Sequence, residues 1–258
     1  MENKTILISG GLGLLGKQFA RTLSEMQATV IVLDTSEQVR KQHMSSIVDR
    51  YLAVSCDVTN ENQVMDVLQS IHNRLGHIDI LINCAAYNEQ PSEYIDNSFE
   101  NYPLGKWNET LAVNLTGAFL LSRECIKYML KKERDFNEYK GTIINIASDL
   151  GIITPDNRIY NSSYKKPVDY CISKAGLIHL TKYIASYYGN KIKSVCLSPG
   201  SVYTNQSDEL KENLENKTPL GRLAKRDEYN GAIKFLCSSD SDYMQGQNLV
   251  IDGGRTIW

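Results

Sequence analysis

A tyrosine followed four residues later by a lysine can exchange protons when both lie on one helix, because residues four apart share a face. A free phenol has a pKa near 10, too high for efficient proton exchange at neutral pH. An ammonium held one turn away favours the phenolate and lowers that value. The spacing occurs four times: Tyr102/Lys106, Tyr128/Lys132, Tyr170/Lys174 and Tyr187/Lys191. Tyr102 precedes Pro103 and Gly105, which argues against a regular helix there. Tyr128 lies in YMLKKERD, a polar helix end where a solvated face is expected. Tyr187 is followed by Gly189 and Asn190, a helix stop, so Lys191 falls beyond it. Only Tyr170 and Lys174 sit inside a helical pattern several turns long, YCISKAGLIHLTKYIASYY. Tyr170 is therefore the candidate general acid/base, taking a proton from a substrate alcohol as hydride leaves its carbon, or returning it to a ketone. Lys174 would lower its pKa and hydrogen-bond a cofactor held beside it.

Two further polar residues stand near this pair in the expected fold. Ser148 ends the apolar run TIINIAS, where a strand reaches the ligand edge of a sheet; a serine there is also a common turn residue. Asn114 is polar inside the apolar helix pattern ETLAVNLTGAF, which points to a local backbone role or a buried water.

Seven runs read as strands: 5–9, 29–34, 50–57, 79–85, 142–148, 192–198 and 248–252. They are nearly continuous in apolar residues, as suits strands buried on both faces of a parallel sheet. Helical patterns lie at 13–26, 60–75, 107–133, 168–188 and 226–238, with a weaker one at 36–47. The alternation predicts an α/β class: a Rossmann-like, doubly wound parallel sheet of about seven strands in three α/β/α layers. No linker or repeat interrupts it, so residues 1–258 are expected to form one domain. The segments 87–107 and 149–168 are too long for plain connections, and 201–221 reads as a third, irregular stretch. All follow C-terminal strand ends, the edge where open parallel sheets bind ligands, and they are the expected substrate loops.

The first strand runs into SGGLGLLGKQFA. Gly10, Gly11, Gly13 and Gly16, with Leu12, Leu14 and Leu15 between them, precede a helix. Glycines let backbone approach a pyrophosphate, and the helix N-terminus offers unpaired N–H groups to the anion. Asp34, about 20 residues on at the end of strand two, is placed to accept hydrogen bonds from ribose hydroxyls and to repel a 2′-phosphate. No Arg or Lys occupies 11–16 or 35–36, so NAD is expected over NADP, with Arg40 and Lys41 as the residues that could reverse this. Asp57 and Val58, at the end of strand three, would flank the adenine; Asp57 or Thr59 could equally cap the next helix.

Composition excludes several classes. Net charge is −2 and no basic run exceeds three residues, which gives no sign of a nucleic-acid partner. Apolar runs are strand length, too short to cross a bilayer. MENKTILISGGLG has no leader pattern, and the six cysteines are scattered, without CxxC or metal-ligand spacing. A cytoplasmic protein with reduced thiols, no metal and a small-molecule substrate is expected.

These residues together resemble the short-chain dehydrogenase/reductase family in its single-domain branch. Matching pieces are the glycine loop, NCAA at 83–86, Asn114, Ser148, Tyr170, Lys174, the Pro199–Gly200 turn with Thr204, and GQNLVIDGG. The resemblance implies a catalytic set of Asn114, Ser148, Tyr170 and Lys174, the asparagine holding a water that relays protons to the lysine. It also implies cofactor contacts from Asn83, Ala85, Pro199, Gly200, Val202 and Thr204, and a homodimer or homotetramer formed through the helices at 107–133 and 168–188. Three features depart from the pattern: Leu14 in place of a glycine, Ala86 in place of another, and a spacing of 22 from Ser148 to Tyr170.

The substrate loops carry Asn88, Glu89, Asp149, Asp156, Asn157, Arg158, Asn161, Ser162, Ser163, Lys165 and Lys166. A hydroxylated, even anionic, substrate is expected over an acyl chain, contacted by Ser148, Asp149 and Tyr170, with Arg158 or the lysines as anion partners. The alternative is that these side chains face water. SFENYPLGKWNETLAVNLTGAFL and the tyrosine-rich insert also resemble members from bacterial surface-sugar pathways, including flagellin modification. The rival readings are an epimerase or dehydratase of the extended branch, and a non-catalytic NAD-sensing binder.

Overall fold

The computed structural model describes residues 1–43, 51–88, 98–133, 139–160 and 164–258, with backbone alone for 40–43. Seven strands form one sheet: β1 (Thr5–Ser9), β2 (Thr29–Asp34), β3 (Leu52–Ser55), β4 (Ile80–Asn83), β5 (Gly141–Ile146), β6 (Ile192–Pro199) and β7 (Asn248–Ile251). Their order is β3-β2-β1-β4-β5-β6-β7, and every pairing is parallel. The chain runs outward from β1 to β3, then returns to β4 on the other side of β1. That reversal opens a crevice above the carboxyl ends of β1 and β4.

The apolar runs work because both faces of the sheet are covered. Ile6, Ile8, Val30, Val32, Ile80 and Ile82 pack on one side with Phe19, Leu23, Ile233 and Leu236, from α1 (Leu14–Glu25) and α8 (Asn230–Cys237). The intervening Leu7, Ile31, Leu33 and Leu81 point the other way. They meet Leu68, Leu121, Cys125 and Ile184 from α3 (Glu61–Leu75), α5 (Gly117–Met129) and α6 (Val168–Tyr188). Strand geometry sends successive side chains to opposite faces, so a continuous apolar run is what a doubly covered strand requires.

Three departures from the sequence reading affect the site. The single helix expected over 107–133 is instead α4 (Leu104–Leu111), a π turn at Ala112–Thr116, and α5. The stretch 201–221, expected to be irregular, contains α7 (Asp208–Asn216), started by Ser207, whose side chain accepts the Leu210 N–H. The weak helix at 36–47 is α2 (Ser36–His43), the remainder lying outside the described residues. Among the described residues no helix is long and apolar enough to cross a membrane.

Candidate active site

A cavity of about 780 Å³ lies over the carboxyl edge of the sheet, with the glycine loop at one end and Tyr170 at the other. At the loop, Gly10 adopts φ +63°, and a Cβ on Gly16 would fall 2.2 Å from the Gly10 carbonyl oxygen. The turn is therefore open only to glycine at these points. Gly13 caps α1 without a side-chain bond, so the first N–H groups of the helix are left without a side-chain acceptor. Such a bare, close-packed loop fits a dinucleotide pyrophosphate. Gly10, Leu12, Gly13, Leu14 and Leu15 line the cavity, as do Asp34, Asp57, Val58, Ala85, Pro199, Gly200, Val202 and Thr204. Asp34 also accepts the Leu12 N–H at 2.9 Å, which ties the end of β2 to the loop. Asp57 accepts both the N–H and the hydroxyl of Thr59 in the turn before α3. The cap of that helix is Asn60, whose side chain accepts the Gln63 N–H, so the expected helix-cap role of Asp57 or Thr59 is corrected.

Two expected cofactor contacts lie elsewhere. Gly11 is buried against β2, where a Cβ would meet Val32. Asn83 is 3% exposed and donates to Ser122 Oγ at 3.0 Å and Asn145 Oδ1 at 2.8 Å. Asn145 in turn donates to Thr181 Oγ1 on α6. Asn83 thus pins β4 to β5 and to the helices beneath them, and its neighbours Cys84, Ala85 and Ala86 form the wall. The side chains of Arg40 and Lys41 lie outside the described residues.

At the other end, Ser148, Tyr170 and Lys174 share one wall. Ser148 opens a 3-10 turn, Asp149–Gly151, that packs on α6; a Cβ on Gly151 would fall 2.7 Å from the Lys174 carbonyl carbon. That close approach brings the serine to the tyrosine although 21 residues intervene. Lys174 is 2% exposed, donates to the Ile146 carbonyl at 2.9 Å, and its amine lies 5.6 Å from the Tyr170 ring centre. Asn114 is fully buried in the π turn. It accepts the Tyr87 N–H at 2.6 Å and donates to the Tyr87 carbonyl and to Ser173 Oγ, both at 3.0 Å. Its side chain is therefore taken up by the Tyr87 backbone and Ser173 and does not line the cavity, so the expected water-holding role does not fall to that side chain.

The expected lowering of the Tyr170 pKa is not found. Burial pushes the phenol well above its ordinary value, Asp149 pushes it further, and a hydrogen bond with Ser148 pulls the other way. Burial also drives the Lys174 amine down to about 8, against the pull of the Cys84 and Cys196 thiols. Desolvation outweighs the pairwise attraction here because both groups are shut from water.

Of the polar loop residues, Asn88, Asp149 and Lys166 line the cavity, whereas Asp156, Asn157, Arg158 and Lys165 do not. The Arg158 side chain is 84% exposed and bound to Asp156 at 2.8 Å, so the expected substrate contact is corrected to a surface ion pair. Glu89, Asn161, Ser162 and Ser163 lie outside the described residues. The sequence reading missed Tyr87, Tyr160, Tyr164, Ser201, Gln206, Leu210, Leu214 and Arg255, which complete the wall. For all but Arg255, which follows β7 and gave no signal, placement within the long loops was the one clue. Among the described residues no group of three or more His, Cys, Asp or Glu could hold a metal.

A parallel sheet with this switch-point cleft, glycine loop and adjacent Tyr–Lys wall defines a Rossmann-type oxidoreductase. The chain belongs to the short-chain dehydrogenase/reductase family, whose members here act on CH–OH groups: residues 13–256 match the family model described as enoyl-(acyl carrier protein) reductase. It is 28% identical over 263 residues to a 3-oxoacyl-[acyl-carrier-protein] reductase, FabG, of Aquifex aeolicus, covering 98% of each chain. A short-chain dehydrogenase from Leptospira borgpetersenii, solved with bound NAD+, superposes with a TM-score of 0.86 at 36% identity, over 99% of this chain and 94% of that one. A gluconate 5-dehydrogenase from Burkholderia cenocepacia, solved with NADP and tartrate, gives 0.83 at 25% identity, over 100% and 97%.

Proposed function

We propose that this protein is an NAD-dependent dehydrogenase/reductase that interconverts a secondary alcohol and a ketone on a hydroxylated, sugar-derived substrate, with the whole chain acting as one catalytic domain. The observation that carries the reading is the meeting of Ser148, Tyr170 and Lys174 on one cavity wall that continues into the glycine loop.

Tyr170 would hold or receive the proton of the reacting oxygen, and Ser148 would hydrogen-bond the same oxygen. Lys174 would hydrogen-bond the nicotinamide ribose from its buried position, while Asn114 holds the segment at Tyr87, which lines the same cavity. The dinucleotide, when bound, supplies or accepts the hydride, and its oxidised ring brings a positive charge that favours the phenolate. NAD is favoured by Asp34, whose carboxylate lies on the cavity wall where a 2′-phosphate would meet it. A sugar-derived substrate is supported by Asn88, Asp149 and Lys166 on the wall, and by the gluconate specificity named for the Burkholderia relative.

Leu210 and Leu214 on the outer wall favour a second reading, a 3-oxoacyl substrate like that named for the Aquifex relative. An NADH-linked screen of polyols, sugars, sugar acids and acyl thioesters separates the two. Tyr170→Phe is expected to cost 10²- to 10⁴-fold, on the order of general acid–base catalysis; full activity in that variant would overturn the mechanism. Exposed Leu104, Phe119, Ile172, Tyr183 and Tyr187 on α4–α6 support self-association, read by light scattering after size exclusion. All six cysteines are free, which supports a cytoplasmic location.

A further inference from the structure

Lys166 and Tyr170 are four residues apart but do not share a helix. Pro167 caps α6, so Lys166 leaves the extended segment before the helix and folds back over the phenol. Its amine lies 4.2 Å from the Tyr170 ring centre, and both side chains line the cavity beside Ser148. We propose that Lys166 is a specificity-determining residue that pairs with a carboxylate of the substrate, one or two carbons from the carbon that reacts. This rests on the dehydrogenase reading above.

The charges around the reaction end lead to this assignment. Asp149 and Arg255 compensate each other at 3.1 Å. Lys174 is turned to the Ile146 carbonyl. Asp34 and Asp57 belong to the nucleotide end of the cavity. Arg158 is spent on Asp156 at the surface. Lys166, by contrast, contacts the Asn88 side-chain oxygen and the Tyr170 ring, both neutral, and forms no ion pair among the described residues. Lys174 likewise has no ion pair among the described residues, but its amine is buried against the end of β5, so Lys166 is the cation left to meet a substrate. Asp169, whose field also reaches Lys166, accepts the Tyr102 hydroxyl at 2.7 Å and the Tyr170 N–H at 2.6 Å. Burial pulls the Lys166 amine down to about 8, against the opposing fields of Cys171, Asp149 and Asp169. An incoming carboxylate would restore the charge and gain a charge-assisted hydrogen bond.

Carboxylate is preferred over phosphate for a geometric reason. A phosphate dianion is held best by a guanidinium fork or several converging donors. The guanidinium lining this end, Arg255, already donates to Asp149 at 3.1 Å and to Ser201 Oγ at 2.8 Å. A single ammonium beside one amide suits a monoanion. Because that ammonium lies over the face of the proton-exchanging phenol, an anion bound to it falls close to the reacting oxygen. The substrate class is accordingly a hydroxy acid or oxo acid of the sugar-acid type.

The test is calorimetric binding to the NAD+-saturated protein, with gluconate against sorbitol, tartrate against threitol, and glucose 6-phosphate as the phosphate arm. At least one acid is expected to bind tenfold or more tightly than its neutral partner. Lys166→Met should abolish the difference, and Lys166→Arg should retain most of it. Equal binding of acid and polyol by the unaltered protein, a preference that survives Lys166→Met, or tighter Lys166-dependent binding of the sugar phosphate would overturn the assignment. NADH formation is read separately. A Lys166-dependent acid preference without NADH from any compound keeps this site and removes the dehydrogenase reading. Equal turnover of acids and polyols removes this site and keeps that reading.

Discussion

Arg255 and Asp149, 106 residues apart, form an ion pair at 3.1 Å in which the side chains are 5% and 4% exposed. The second Asp149 oxygen accepts the Ser148 hydroxyl at 2.7 Å. A segment following β7 thereby reaches under the reaction end of the cavity and fixes the residue next to the serine. Removing one member leaves a buried charge alone, which costs about 3–5 kcal/mol. Asp149→Asn and Arg255→Met should each lower the urea midpoint strongly, whereas the double variant should recover much of the loss. Additive losses in the double variant would show that the two charges do not act as a pair.

Stability should depend on pH through two amines on the cavity wall, Lys174 buried and Lys166 partly exposed. Lys166 and Lys174 are both held near 8, below the ordinary 10.5 of a lysine. A base with a depressed folded value destabilises fully below that value, and the penalty fades between about 8 and 10.5 as only the unfolded chain still binds the proton. The Tm of the unaltered protein should therefore gain on that of Lys166→Met between pH 8 and 10. A constant difference across that window would remove Lys166 as the cause.

Gly16→Ala places a methyl 2.2 Å from the Gly10 carbonyl oxygen, against backbone that cannot swing aside. The loop must open, and the first turn of α1 must shift away from the pyrophosphate position. NADH affinity, followed by fluorescence, should fall tenfold or more. Unchanged affinity would place the dinucleotide elsewhere.

The Asp34 carboxylate is expected to set the choice between the two dinucleotides by charge. Replacing it with alanine and Thr35 with arginine removes the repulsion and supplies a counter-charge to a 2′-phosphate. The ratio of kcat/KM for NAD over NADP should drop by at least tenfold. The same ratio in wild type and variant would show that the ribose lies away from this carboxylate.

The strands were readable because burial on both sheet faces demands unbroken apolar runs. β1 and β2 occupy the stretches TILIS and TVIVLD without a residue's difference. α7 was missed because DELKENLEN carries few apolar positions, although Ser207 and the acidic first turn mark its start. The π turn around Asn114 has no comparable signal. It accompanies a clamp on Tyr87, 27 residues away, and so depends on a contact that periodicity does not report. Arg158 and Lys166 show the same limit from opposite sides. Both are cations of one polar insert, yet one is spent on the surface and the other folds over the phenol.

The sequence by itself determined the strand–helix alternation, the glycine loop and the selection of Tyr170 and Lys174, because each rests on spacing within a few residues along one element. Tertiary structure decided which charges face the cavity and which cancel. Arg255 reaches Asp149, and Asn83 and Asn145 become a buried brace, through approaches between segments distant in the chain. Those approaches follow from close packing over the whole sheet, which no local pattern carries.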